Sequence, residues 1–218
     1  MITLYGTAHS RTHRVLWLLR ELGLAFEHIP TDFVTRENRD PAFLAVNPNG
    51  RVPALVDGDI TLWESLTINL YLSRRYGGEI AARGFVEETL AMQWSMWAAA
   101  ELDKALFLAA TNLRFFAAAD RNPDDVALAL RKLSRPFAVL DGWLTDRRYI
   151  LGDRFTVADL NVAAVLSLVR LCGLPVEPYP AMSQWLGGCL DRPAADDYLR
   201  LDFKLSRLPP ENYIFMFL

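Results

Sequence analysis

The chain has 218 residues, is 52% hydrophobic with 6 Trp and 12 Phe, and carries a formal net charge of −3. That length and apolar content supply a sizeable core in one or two domains and exclude a disordered chain, while the weak acidity leaves no electrostatic footprint for nucleic acid. No apolar run reaches the roughly 18 residues that cross a bilayer, since Arg14 and Arg20 close off the run between them, and Met1-Ile2-Thr3-Leu4-Tyr5 lacks the charged-then-apolar layout of a signal peptide.

Along the chain, Ile2-Thr3-Leu4-Tyr5 predicts a short strand. Val15, Leu16, Leu19 and Leu22 recur at helical spacing, and Gly23 stops that run. Residues 26–30 predict a second strand, and residues 36–46 a polar loop with a short helix. Residues 52–56 and 60–63 flank Asp57-Gly58-Asp59 and predict a hairpin, because Asp-Gly tolerates positive φ. Residues 65–76 predict a helix ended by Gly77-Gly78. The order is β-α-β-α-β-β-α. Strand signals then vanish. Residues 79–84 predict a linker, and residues 85–218 an all-helical part. Its helices are expected at 85–119, 124–146 with a bend near Pro136, 156–172, 181–191 and 194–201. Thr156 and Asp159 form a capping box, with Phe155 and Leu160 placed as a hydrophobic staple. That motif nucleates a buried helix and does no chemistry.

Four stretches and their order carry a resemblance. They are Leu4-Tyr5-Gly6-(x3)-Ser10-(x3)-Arg14-Val15, then Glu21-Leu22-Gly23-Leu24, then Asn47-Pro48-Asn49-Gly50-Arg51-Val52-Pro53-Ala54-Leu55, and Trp63-Glu64-Ser65-(x2)-Ile68-(x2)-Tyr71-Leu72. The capping motif, with Gly152-Asp153 upstream, is a fifth. Across both halves the chain resembles the cytosolic glutathione transferase superfamily. The resemblance implies a thioredoxin-like, glutathione-binding α/β domain at residues 1–78 and an all-α helical-bundle domain at residues 85–218 that contributes the electrophile pocket. It also implies glutathione as co-substrate, an apolar electrophile as second substrate, and a two-fold homodimer.

That chemistry needs a nucleophilic thiolate. An unperturbed thiol with a pKa of about 8.5 is only roughly 3% ionised at pH 7. Lowering the pKa by about 2 units takes about 2.7 kcal/mol of preferential thiolate stabilisation. A hydroxyl hydrogen bond to a charged group gives roughly 1.5–3 kcal/mol, and a helix N-terminus about 0.3–1 kcal/mol. Ser10, between the first strand and the first helix, is placed to supply both. From the residues alone it reads as the helix N-cap. The resemblance, in which a hydroxyl at this spacing activates the thiol, implies a catalytic role instead. Tyr5 and Thr12 are the competing hydroxyls, and Thr12 reads as an ordinary first-turn residue.

The other site residues follow the same logic. An X-Pro bond adopts cis at modest cost, although a trans Pro opening a strand is the alternative. In the family resembled the bond is cis, and the residue before it pairs its backbone with the ligand's cysteinyl unit; here these are Val52 and Pro53. Glu64 and Ser65 open a helix, where free N–H groups and a hydroxyl suit the γ-glutamyl carboxylate and Glu64 the ammonium; simple capping is the alternative. Arg51 is a donor for the glycyl carboxylate, or a solvated surface arginine. Thr7, His9, Trp97 and Phe107 are candidates for the electrophile pocket, with core packing the alternative for the aromatic pair. Asp103 is a candidate to reach a partner subunit's ligand.

No metal is expected: His9 and His13 have helical spacing but no third ligand. Cys172 and Cys189 form no C-x-x-C motif, so reduced thiols and a cytoplasmic location are the default. Ser10 stands where other classes of the family place Cys, which argues against thiol exchange. The expected function is conjugation of glutathione to an apolar electrophile. Glutathione-dependent isomerisation or dehalogenation, and a non-catalytic binding or scaffold role, are the alternatives. The apolar tail from Tyr213 to Leu218 is expected to cover the cleft or dock on the core.

Overall fold

Four short strands, β1 (Ile2–Tyr5), β2 (Phe26–Ile29), β3 (Ala54–Asp57) and β4 (Ile60–Trp63), form one sheet in the order β2-β1-β3-β4 in the computed structural model, which describes residues 1–195. Most of the helix expected at 194–201, and the whole tail from Tyr213 to Leu218, lie outside the described residues. β1 pairs parallel with β2, so the chain must cross over between them, and α1 (Thr12–Glu21) makes that crossover. β1 and β3 pair antiparallel, as do β3 and β4 across the Asp57-Gly58-Asp59 hairpin turn, where Gly58 has φ 60°. A 3-10 turn at Glu37–Arg39 and the short α2 (Pro41–Val46) fill the connection to β3. α3 (Ser65–Tyr76) follows β4 and packs on α1. Leu4, Leu55, Val15, Leu18, Leu19, Ile68 and Leu72 are fully buried between sheet and helices. The Tyr71 and Tyr76 hydroxyls donate to Asp57 Oδ2 at 2.9 and 2.7 Å and tie the hairpin to α3.

The rest is helical. α4 (Gly84–Trp97) runs on through a π-helical turn (Ala98–Leu102) into α5 (Asp103–Ala110) and a second π-helical turn (Thr111–Phe115). The helical run therefore ends earlier than expected, with Phe116 already extended at φ −73° and ψ 151°. α6 (Pro123–Leu144) starts at Pro123, whose missing N–H costs nothing at a first helical position, with Asn122 Oδ1 accepting from the Asp124 N–H at 3.0 Å. It continues through the buried Pro136. α7 (Val157–Cys172) is buried from Val157 to Val169, and α8 (Pro180–Leu190) packs on α6 and α7. The capping box is present. Asp159 also accepts from the Ile150 N–H at 2.8 Å and the Trp185 indole at 3.0 Å, so it anchors three segments.

α1 is buried along Thr12–Leu19 because α3 and α7 both pack on it. Buried amides lock this junction. Asn69 Nδ2 donates to Asn161 Oδ1 at 2.8 Å and to the Arg14 carbonyl at 3.0 Å, and Asn161 Nδ2 donates to Ser95 Oγ at 2.9 Å. Arg192 grips both Glu21 oxygens at 2.7 and 2.8 Å and lies 4.0 Å over the Phe155 ring. The whole is the thioredoxin-like α/β part followed by an all-helical part that the sequence predicts.

Candidate functional site

The strand register gathers the predicted residues at one end of the sheet. Tyr5, the last residue of β1, faces Ala54, the first of β3, and Ala54 faces Trp63, the last of β4. The loop leaving β1, the Val52-Pro53 bond entering β3 and the Glu64-Ser65 pair leaving β4 therefore emerge side by side. Gly6, at φ 126°, lets them close up: a Cβ there would lie 2.9 Å from Val52 Cβ and 2.1 Å from Thr12 Oγ1.

Ser10 sits half-buried in the first of these loops. Its hydroxyl donates to the Thr7 carbonyl at 2.7 Å and lies 2.8 Å from Thr12 Oγ1, and the Thr12 N–H donates to Ser10 Oγ at 3.2 Å. Ser10 Oγ thus accepts from the first N–H of α1, although the N-cap position expected for Ser10 is taken by Arg11, which makes no side-chain cap bond. Thr12, read from sequence as an ordinary first-turn residue, is completely buried. Nothing in its spacing distinguishes it from any other first-turn threonine.

The Val52–Pro53 peptide bond is cis. The turn before it is pinned by Asn47, whose Nδ2 donates to the Arg51 carbonyl at 2.6 Å and whose Oδ1 accepts from the Asn49 N–H at 3.1 Å. Asn38 Nδ2 donates to the Gly50 carbonyl at 2.7 Å from the opposite side. Arg51 is exposed at the rim.

Glu64 is an exposed non-glycine residue at φ 71° and ψ 109°, a sparsely populated conformation. Its carbonyl accepts the first bond of α3 from the Ile68 N–H at 2.9 Å, yet its side chain makes no cap bond. The leading N–H groups of α3 are therefore open to an anion, with the positive end of the helix dipole behind them. Ser65 is buried, and Arg14 Nη1 approaches its Oγ at 3.5 Å.

The helical part closes the other side. Asp103 Oδ1 receives Arg14 Nη2 at 2.5 Å, and its Oδ2 receives Arg11 Nε at 2.8 Å. Burial alone would raise the Asp103 pKa, but the Arg14 and Arg11 guanidiniums prevail and hold it at about 2. Two arginines on one carboxylate leave the cluster net positive beside the cleft. The Arg11 guanidinium lies 5.4 Å over the Phe107 ring, so Phe107 stands at the start of α1. Trp97 instead meets Trp94, with ring centroids 5.0 Å apart, and Trp94 meets Trp143 at 5.4 Å. Thr7 is half-buried and His9 exposed. The sequence places Ser10, Arg14 and Ser65 in its motifs but assigns Arg14 no role, and it offers Thr12 only as a competing hydroxyl that reads as a first-turn residue. Asp103 was read toward a partner subunit, whereas both of its oxygens are engaged by arginines of its own chain.

His13 faces inward, its ring nitrogens 2.8 Å from the Ser10 carbonyl and 3.2 Å from the Ala164 carbonyl. Burial, with Arg14 adding to it, lowers its pKa to about 3. Among the described residues no three His, Cys, Asp or Glu side chains gather as metal ligands, and no helix is long and apolar enough to cross a membrane. Burial raises the Cys172 thiol to about 11 and pushes Cys189 well above the ordinary thiol value, so neither supplies a thiolate at neutral pH.

Residues 1–74 match the family model "Glutathione S-transferase, N-terminal domain", and residues 104–193 match "Glutathione S-transferase, C-terminal domain". The chain is 33% identical over 201 residues to glutathione S-transferase 1 of Zea mays, covering 88% of this chain and 92% of that protein. It is 32% identical over 198 residues to glutathione S-transferase GstB of Escherichia coli K12, covering 89% and 95%. Among solved structures, the theta class glutathione S-transferase of Xanthomonas axonopodis pv. citri, with glutathione bound, superposes at TM-score 0.86 with 26% identity over 93% of this chain and 99% of that one.

Proposed function

Because this chain belongs to the glutathione S-transferase family and is a glutathione transferase, we propose that it conjugates the glutathione thiolate to an apolar electrophile through Ser10. In this reading residues 1–78 hold glutathione, residues 79–84 link, and residues 85–218 supply the second-substrate pocket. The observation that carries it is the uncapped start of α3, with Ser65 on the buried Arg14, beside the cis Val52–Pro53 bond.

The γ-glutamyl carboxylate would take the α3 N–H groups and the Ser65 hydroxyl, with the Arg14 charge behind them, and Glu64 would face the ammonium. The backbone of Val52, fixed by Pro53, would pair with the cysteinyl unit, and Arg51 at the rim would meet the glycyl carboxylate. That leaves the sulfur over the β1–α1 loop, where Ser10 donates to it. A bond from Ser10 and the positive helix end together supply about 2–4 kcal/mol of thiolate stabilisation, enough for the required shift. The thiolate then attacks the electrophile, a new carbon–sulfur bond forms, and the leaving group departs with its electron pair. Phe107, Thr7 and His9 are the candidates nearest the cleft for the electrophile, with Trp97 farther along α4. No metal enters this scheme, and reduced cysteines accord with a cytoplasmic setting.

A homodimer is part of the proposal. Phe85, Met92 and Met96 lie 83, 54 and 67% exposed on one face of α4, and Trp63 is 43% exposed beside Glu64. An exposed apolar stripe of this kind on a helix, together with an exposed aromatic at the end of the edge strand β4, fits a second copy.

Retention on immobilised glutathione tests the ligand site. The native chain is expected to be retained and a Glu64→Ala, Ser65→Ala double variant to wash through; equal retention removes the proposal. Loss of aryl-halide conjugation in Ser10→Ala, with glutathione affinity kept, tests the catalytic role. An unchanged rate transfers that role to Tyr5 or to backbone amides.

A further inference from the structure

Ser10 Oγ has three short-range partners, and their donor count is decisive. Its own proton goes to the Thr7 carbonyl at 2.7 Å, while the Thr12 N–H occupies one lone pair at 3.2 Å. Thr12 Oγ1, 2.8 Å away, is then left to donate to the other lone pair. Thr12 has no solvent access, and among the described residues its hydroxyl has no other hydrogen-bond partner. A buried hydroxyl without an acceptor is costly, so the Thr12 proton belongs to Ser10.

The same count shows that the Ser10 proton is free to leave. The Thr7 carbonyl also accepts the Ser10 backbone N–H at 3.1 Å, so it stays hydrogen-bonded when the hydroxyl turns away. Space for Thr12 Oγ1 is itself built in. A side chain on Gly6 would lie 2.1 Å from it, so the glycine keeps the end of β1 clear for this hydroxyl.

Resting on the catalytic assignment of Ser10, we propose that Thr12 is a positioning residue: its buried hydroxyl donates to Ser10 Oγ and thereby aims and strengthens the Ser10 proton toward the glutathione sulfur. The chain of bonds runs from Thr12 Oγ1–H to Ser10 Oγ, and from Ser10 Oγ–H to the thiolate. Each donor in such a chain polarises the next, by about 10–30% per bond. Thr12 does not touch the ligand, because it has no solvent access.

The test is the thiol pKa of bound glutathione, read from the ultraviolet absorbance of the thiolate as the full-length protein is titrated. Four variants are compared with the native chain: Thr12→Val, Thr12→Ala, Thr12→Ser and Ser10→Ala. Removing the hydroxyl with Val, which keeps the shape, or with Ala, which cannot clash, is expected to raise the thiol pKa by about 0.1–0.7 unit. Glutathione affinity by calorimetry stays the same at a pH below the thiol pKa, where the bound ligand is still protonated. Thr12→Ser restores the native value, and Thr12→Ala adds nothing in a Ser10→Ala background. A native thiol pKa in both hydroxyl-free variants overturns the proposal, as does a shift in Thr12→Val alone, which would report packing. If Ser10→Ala itself leaves the thiol pKa unchanged, the assignment of Ser10 fails first, and the two failures are told apart by that single titration.

Discussion

Arg14 Nη2 and Asp103 Oδ1 meet at 2.5 Å across the junction between the sheet-bearing part and the helical part, and Arg14 reaches Ser65 with its other terminal nitrogen. One buried guanidinium thus joins the packing of the two parts to the proposed carboxylate site. Arg14 is only 4% exposed at its side chain, so removing its partner leaves a charge with little water to fall back on. Asp103→Ala is expected to cost roughly 3–5 kcal/mol in denaturant unfolding. Glutathione affinity should fall with it, because Arg14 is no longer held against Ser65. Arg11→Ala, at the 40% exposed partner, should cost far less, about 1 kcal/mol or under. Equal losses at Arg11 and Asp103 would contradict this division.

His13 carries a pH dependence whose sign can be stated. Burial first, and the Arg14 charge next, hold the folded-state pKa at about 3, well below the ordinary histidine value of 6.5. The Ser10 and Ala164 carbonyls oppose this by hydrogen-bonding the ring, and the Asp103 charge opposes it less. A group whose folded pKa is depressed binds more protons when unfolded. Its stability contribution is therefore complete above the unfolded pKa and is lost as pH falls from about 6.5 toward 3, at up to about 1.4 kcal/mol per pH unit. Asp103 acts in a lower window, from its unfolded value of about 3.8 down to about 2. Urea unfolding between about pH 7 and pH 5 should show the His13 slope in the native chain and a flatter one in His13→Gln. An identical slope in both would assign the acid sensitivity elsewhere.

The exposed stripe on α4 gives a third expectation. Phe85, Met92 and Met96 are seven and four residues apart, which stacks them on one helix face. Replacing Met92 and Met96 together with Lys should shift sedimentation from a two-copy to a one-copy species at micromolar concentration, while the monomer fold is kept because both side chains already face water. A native chain that sediments as one copy at the same concentration would end the dimer proposal.

How much of this was legible in the residues depends on how local the cause is. The Thr156–Asp159 box and the hairpin at Gly58 are set by a few neighbouring residues and are legible from them, whereas the cis bond before Pro53 is expected only from the family resemblance, the residues alone allowing trans. The π-helical turns at Ala98–Leu102 and Thr111–Phe115 contain no Gly or Pro to mark them, so the sequence predicts one helix through both. Asn69 and Asn161, 92 residues apart, bond to each other at full burial, and nothing in either local pattern marks an asparagine that faces a partner from one that faces water. The same holds at the site. Ser10, Val52 and Ser65 sit in motifs, whereas the pairing of Arg14 with Asp103 exists only once α5 has docked on α1.

Gly6 tests whether those separate loops act as one site. At φ 126° it already favours glycine, and a Cβ would also meet Thr12 Oγ1 at 2.1 Å and Val52 Cβ at 2.9 Å. Neither neighbour is the flexible end of a long side chain, so the backbone must give. Gly6→Ala therefore pushes at Ser10, through Thr12, and at the Val52 pairing strand together. Its expected signature is a stability loss of about 1–3 kcal/mol with both a raised KM for glutathione and a lowered kcat. Gly23→Ala is the matched control: its φ of 60° is also left-handed, but no atom lies within 4 Å of the added Cβ. That variant should lose about 1–2 kcal/mol from backbone strain and keep native kinetics. If Gly6→Ala shows only a stability loss with native KM and kcat, the loops bearing Ser10 and Val52 are not coupled through this contact.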